Sequence, residues 1–261
     1  MRIAIGLEYC GTSFTGWQTQ PDGRGVQDAL ERALAVIADA EVGTIAAGRT
    51  DAGVHATMQV VHFDVAATRP DTAWVRGVNS NLPPAVAVLW ARPVAGDFHA
   101  RYAAMRRHYT YVLSSRPVRP ALLAGRVGWY HRALDVETMT QATAALVGTH
   151  DFSAFRAAEC QAKSPTRTMS TISIATTGEH IRFDFCANAF LHHMIRNIVG
   201  ALVYVGAGKH PPAWIGELLA GRDRTRAAPT FAADGLHFTG ADYDAGWDLP
   251  PTLRPVFLPL A

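Results

Sequence analysis

The sequence predicts an α+β protein made of two similar mixed α/β subdomains with their sheets side by side. Three observations carry this. Short segments of alternating polarity, which read as strands, occur in both halves of the chain. Each half also holds amphipathic stretches with helical spacing. Strands and helices do not alternate in the regular short βα units that a parallel barrel requires. The halves are expected at 1–97 and 98–261, with 94–107 as the crossover between them.

Taken in order, residues 2–9 place Ile3, Ile5 and Leu7 on one face of a strand. In 26–40, Val26, Leu30, Leu34 and Ile37 share a helical face. Residues 56–65 read as a strand, 71–83 as a helix opening at Asp71, and 85–94 as a strand. The second half opens with an alternating strand at 107–115. A helix follows over 134–148, with Asp135 as cap and Gly148 as stop. Two strands around Gly178 form a hairpin. "AFLHHMIRNIVGALVYVG", 189–206, is the strongest helical stretch, and 211–221 is a short helix opening on proline.

The chain has 261 residues and is 49% hydrophobic, enough for a substantial core. A formal net charge of +2 says little about partners, but Lys163 and Lys209 are its only lysines. Arginine suits bidentate contacts to phosphate and carboxylate; GC-rich coding would favour it equally. Three scattered cysteines, at 10, 160 and 186, do not suggest a disulfide framework. The N-terminus reads as a strand rather than a leader, and the longest apolar run, 198–208, is too short to span a bilayer. A cytoplasmic protein is expected, with no membrane partner.

The stretch that concentrates chemistry is "AAGRTDAGVHA", 46–56. Gly48 and Gly53 let the backbone bend around Asp51, with Arg49 and His55 close by. Ordinary turns also use Asp and Gly, so a plain turn stays open. A carboxylate held by an arginine stays ionised, and an ionised Asp can attack an electrophilic carbon or take a proton.

Three further clusters stand out. In "DFHARYAAMRRHYTYVL", Arg101, Arg106 and Arg107 are interleaved with Phe98, Tyr102, Tyr109 and Tyr111. Arginines can hold phosphates while rings stack on bases, though tyrosines packed in a core would look the same. On the 189–206 helix, His192 and Arg196 lie four apart on one face. Arg156, Lys163 and Arg167, then Arg222 and Arg224, mark two basic loops that are either phosphate contacts or solvated surface. His192, His193 and Cys186 do not match a zinc pattern, so no metal is assigned. There is no dinucleotide fingerprint, Walker A run or nucleophile elbow.

On these motifs the chain resembles the tRNA pseudouridine synthase A family. The blocks are "YCGTSFTGWQ", "GRTDAGVHA", "GVNSNLP", "FHARYAAMRRHYTYVL", "DFSAFRAAECQAKSPTRT" and "NAFLHHMIRNIVG", spread over almost the whole chain. The resemblance implies the pseudouridine synthase fold with a central active-site cleft. It also implies isomerisation of uridine to pseudouridine at tRNA positions thirty-eight to forty, in the anticodon arm. Asp51 would be the catalytic aspartate, Tyr109 would stack on the target base and Arg196 would pair with the aspartate. Arg49 would hold the extruded nucleotide, with His55 beside it. The resemblance further implies a homodimer that needs no cofactor. Cys10 stands where the family usually has Asp, and Thr166 lies where it often has an aromatic residue.

Overall fold

The computed structural model describes residues 1–256. They divide into two compact units, one formed by 1–107 with 237–256 and the other by 108–236. The chain leaves the first unit, builds the second and returns. Residues 98–107 therefore lie with the first unit, whereas the sequence reading groups them with the second half.

In the first unit, β1 (Arg2–Tyr9), β3 (His55–Asp64), β4 (Val86–Val94) and β10 (Leu236–Asp242) run in the order β4-β1-β3-β10, and β2 (Thr44–Ala46) also pairs with β3. All of these pairings are antiparallel except β10 with β3, where His237 faces His55 and Phe238 faces Ala56. Ile3, Ile5 and Leu7 are fully buried as expected, but so is Ala4 on the opposite face. α1 (Val26–Ala38) buries Val26, Leu30 and Leu34 of the stripe read from its spacing, together with Ala29 and Ala33, while the fourth stripe residue, Ile37, is only half-buried. It opens where the Asp28 carboxylate accepts the Gly25 N–H at 2.8 Å. The helix expected over 71–83 contains a π-turn at Ala73–Gly77 that buries Trp74.

In the second unit, β5 (Arg106–Ser115, here from His108), β9 (His180–Ala187), β8 (Thr166–Thr177) and β7 (Gly148–Asp151) run in the order β5-β9-β8-β7; β6 (Gly128–Tyr130) pairs parallel with β5. The β8–β9 hairpin turns at Gly178 as expected, with φ +57°. α2 (Val136–Thr143) is capped by Asp135, which accepts the Thr138 N–H at 3.0 Å. It ends earlier than read, in a 3-10 turn over Ala144–Leu146, and Gly148 begins a strand. α3 (Met194–Gly206) and α4 (Trp214–Gly221) pack with α2. Gly206 permits one close approach: a Cβ there would lie 2.5 Å from Met139 Sδ.

α3 is shorter at its start than the sequence predicts. His193 has φ +61°, so the helix begins at Met194 and His192 precedes it. The expected helical face shared by His192 and Arg196 does not form. The two imidazoles lie against each other with centroids 3.9 Å apart, rather than diverging as on a helix.

Candidate active site

The loop carrying Asp51 joins β2 to β3 in the first unit. Its entry is set by Glu31 on α1, whose carboxylate accepts the Thr44 N–H at 2.7 Å and the Thr44 hydroxyl at 2.8 Å. Gln59, fully buried on β3, grips the loop from its other side. Its amide donates to Gly48 O at 2.7 Å and accepts the Gly48 N–H at 3.4 Å. The chain then turns back through a hydrogen bond from Val54 N to Asp51 O. Gly53 supplies the left-handed φ of +79° at this turn. Gly48 does not have a positive φ.

A second loop, from the "YCGTSFTGWQ" stretch, lies backbone to backbone on the first. A Cβ on Gly11 would fall 2.0 Å from Val54 O, and one on Gly16 would fall 2.9 Å from Thr50 O. Trp17 N donates to Thr50 O at 2.9 Å. The Tyr9 and Thr50 hydroxyls bond at 2.8 Å in the interior. Burial pushes the Tyr9 phenol up to about 12, against the smaller opposing effects of its hydrogen bonds to Thr50 and Gln59. It therefore stays protonated and structural. These supports fix the backbone on both sides of Asp51, whose side chain is half-buried.

His55 is buried. Its Nδ1 accepts the Gly11 N–H at 3.1 Å, and its ring stacks on His237 with centroids 4.7 Å apart. Its place is behind the loop. Arg49 is exposed and makes no hydrogen bond or ion pair among the described residues, so it does not hold Asp51 as the sequence reading expected. Cys10 puts its thiol 3.3 Å from the Thr12 hydroxyl.

In the second unit, Tyr109 and Tyr111 both lie buried on β5. Tyr111 is a core residue. Its hydroxyl donates to Ala232 O at 2.9 Å, and its ring meets Phe183 and Phe231 edge-on. Burial, with the nearby Asp234 charge, drives its phenol far above the ordinary range. Tyr109 instead packs edge-on against Phe190 at 5.1 Å. Arg196 Nε donates to Phe231 O at 2.9 Å, while Phe231 N donates to Arg196 O at 3.2 Å.

Asn197, which the sequence reading passed over, explains how this corner is held. It is fully buried, donates to Phe155 O at 2.8 Å and accepts from the Thr230 hydroxyl at 2.7 Å and Arg224 Nη2 at 3.1 Å. An asparagine in the middle of an apolar helical stripe is the signal that could have found it.

Most of the remaining arginines hold the protein's own oxygens. Arg106 pairs with Asp242 at 2.7 Å. Arg107 donates to Ala104 O at 2.8 Å, to Ala47 O at 3.3 Å and to Arg101 O. Arg156 holds Cys160 O and Ala162 O. Arg167 binds Ser164 O and Thr166 O, the latter at the exposed start of β8. Arg222 lies 3.5 Å from Asp151, and Arg224 also reaches Ala228 O at 2.8 Å. The side chains of Arg101 and Lys163, like that of Arg49, make no hydrogen bond or ion pair among the described residues.

The two units thus offer a rigidly backed carboxylate in one and a tyrosine, an arginine and edge-packed rings in the other. Known proteins match this chain over most of its length. A family model described as tRNA pseudouridine synthase matches residues 6–103 and 142–244. A protein of Thiobacillus denitrificans named tRNA pseudouridine synthase A is 59% identical over 250 residues, covering 96% of each chain. One of that name from Methylobacillus flagellatus is 57% identical over 261 residues, covering both chains completely. Another, from Chromobacterium violaceum, is 61% identical over 251 residues and 96% of each chain. With a family model matching both units and full-length relatives at this identity, the chain belongs to the tRNA pseudouridine synthase family.

Proposed function

We propose that this protein converts uridine to pseudouridine at positions thirty-eight, thirty-nine and forty of the tRNA anticodon stem-loop, with Asp51 as the essential carboxylate. Membership of the family makes it an isomerase. The observation that carries the assignment to Asp51 is its loop. Backbone hydrogen bonds, a buried Gln59 and two close-packed glycines hold it from several directions. So many constraints on one half-buried carboxylate are what a reacting group needs and a surface turn does not.

The reaction breaks the bond between C1′ and N1, turns the uracil and joins C5 to the same C1′. The C5 proton is lost and N1 gains one, so no electrons are exchanged with a cofactor. An ionised Asp51 serves either as nucleophile at C1′ or as the base that takes a sugar proton. The target nucleotide must leave its stack. Tyr109 is proposed to take the extruded base, Arg196 to supply the guanidinium that the family resemblance assigns to the carboxylate, and Arg49 to hold the nucleotide. His55 is proposed to support the Asp51 loop within the first unit. Arg101 and Lys163 are the proposed phosphate contacts with uncommitted head groups. Arg106, Arg107, Arg156, Arg167, Arg222 and Arg224 would contribute field and shape.

A homodimer in the cytoplasm is the proposed working form. Free thiols at Cys10, Cys160 and Cys186 support a reducing compartment. Among the described residues no helix is long and apolar enough to cross a membrane.

The test uses unmodified tRNA transcripts with uridines in the anticodon arm, purified protein and no added cofactor, with pseudouridine mapped by nucleotide. Product confined to the three positions and abolished by Asp51→Asn, with tRNA affinity kept, is expected. Turnover by Asp51→Asn would remove Asp51 from the chemistry. No product from a wild type that binds tRNA well would favour an RNA-binding module instead.

A further inference from the structure

The loop 98–105 of the first unit is pinned far more tightly than an ordinary surface connection. Arg2 Nη1 donates to Phe98 O at 2.8 Å, and the Phe98 ring is fully buried against Tyr243 and Trp247. His62 Nδ1 accepts the Ala100 N–H at 3.1 Å, while the Tyr243 hydroxyl donates to Ala100 O at 2.6 Å. His99 Nδ1 accepts the N–H groups of both Arg101 and Tyr102, each at 3.2 Å. Arg107 closes the loop by donating to the carbonyls of Arg101 and Ala104.

What this scaffold presents is an aromatic ring in water. Tyr102 is 77% exposed. One face stacks on the His99 ring, with centroids 4.2 Å apart and planes 28° from parallel. The Arg101 guanidinium lies over the ring, 5.7 Å from its centroid, and the Arg101 side chain makes no hydrogen bond or ion pair among the described residues. Met105, half exposed, is the apolar neighbour on the same loop. A tyrosine with only this much to pack against normally gains nothing from being held still. Here the ordering cost has been met in advance, as in a preorganised binding group.

We propose that Tyr102, backed by His99 and flanked by Arg101, is a stacking platform for an unpaired nucleobase of the bound RNA, outside the site where Asp51 reacts. This rests on the reading of tRNA as substrate. An exposed ring with a guanidinium over it that no carboxylate holds matches a base and its phosphate, and such stacking tolerates any base. A protein partner would need a dry apolar centre, and here arginines flank Tyr102 and Met105 on both sides. The platform is also tied to the reacting loop. The guanidinium that holds Arg101 O and Ala104 O also binds Ala47 O, one residue ahead of "GRTDAGVH". A base seated on Tyr102 therefore sets the RNA's register against the loop that carries Asp51.

The experiment compares the full-length wild type, Tyr102→Ala and Tyr102→Phe for tRNA affinity at two or more salt concentrations, thermal midpoint, molar mass and ultraviolet cross-linking to tRNA. Expected are roughly ten-fold weaker binding for Tyr102→Ala, near-wild-type binding for Tyr102→Phe and an unchanged salt slope. The midpoint should not move, and a nucleotide adduct should map to the Tyr102 peptide. Wild-type affinity in Tyr102→Ala, when the wild type itself makes pseudouridine, would overturn this inference alone. A change in molar mass with unaltered tRNA affinity would also overturn it and mark the loop as a contact between protein copies. A wild type that neither binds nor modifies tRNA would overturn this inference and the substrate reading together.

Discussion

Gly11 lies so close to Val54 that a methyl group on it would sit 2.0 Å from the Val54 carbonyl oxygen. The contact is backbone on backbone, so no side chain can swing away to relieve it. Gly11→Ala must push apart the loop after β1 and the loop carrying Asp51. Overpacking of this kind costs about 1–3 kcal/mol. Denaturant unfolding should show that loss, and turnover should fall more than tRNA affinity. An alanine variant with wild-type stability and rate would mean the two loops are not mutually fixed.

His55 reads the same junction chemically. Its Nδ1 must be unprotonated to accept the Gly11 N–H. Asparagine can place an oxygen near that nitrogen, while leucine cannot. His55→Leu should lower kcat by about ten-fold, the worth of roughly one hydrogen bond of 1.4 kcal/mol, with a smaller change in KM. His55→Asn should recover much of it. Equal loss in both variants would show that ring packing on His237, not the acceptor, is what matters.

Stability should fall below neutral pH because of His62. Burial first, then the charges of Arg2 and His99, lower its imidazole from 6.5 to about 4, with Asp64 opposing. The unfolded chain therefore binds the proton first. The contribution is whole above about pH 6.5 and disappears as pH falls towards 4. Between pH 7 and 5 the loss should be on the order of 1 kcal/mol after allowance for solvent screening. Unfolding curves at the two pH values should show it, and His62→Asn, which keeps an acceptor for Ala100 N–H, should flatten the difference. A wild type equally stable at both would refute it.

Salt dependence should separate the cations. Lys163→Ala removes a head group with no partner among the described residues, so the slope of log affinity against log salt should shrink by about 1 if it meets a phosphate. Arg107→Ala should act differently. It leaves Arg101 O, Ala104 O and Ala47 O without their charged donor, at a cost on the order of 2 kcal/mol. Calorimetry should show a lowered Tm. An unchanged Tm would place Arg107 with the RNA contacts after all.

Legibility followed from how strongly each residue's surroundings could be read locally. α1 was readable because its buried stripe is apolar and its other face wet, and the β8–β9 hairpin because Gly178 punctuates two alternating runs. β10 left no such trace. His237, Thr239 and Gly240 interrupt its apolar pattern; all three are buried, His237 pairing with His55 of β3, a partner distant in sequence, and Gly240 bridging to Leu253. The start of α3 was missed because its apolar run continues through Leu191, while one left-handed residue, His193, breaks the helix. The motif around Asp51 was visible as a string of residue types. Its supports were not: Gln59 and Tyr9 look like ordinary strand residues until the backbone brings Gly48 and Thr50 to them.

The parallel pairing of His237 with His55 bears on how the protein is made. β3, which begins where the Asp51 loop ends, waits for β10, a strand made only after the whole second unit. On the ribosome, residues 108–236 emerge complete and can fold as a unit while the first unit still lacks β10. The Asp51 loop therefore gains its final support only after the second unit has been made. A nascent chain, or one terminated before β10, carries the Asp51 sequence without the strand that backs its loop, so this carboxylate reaches its final setting only after the second unit has been synthesised.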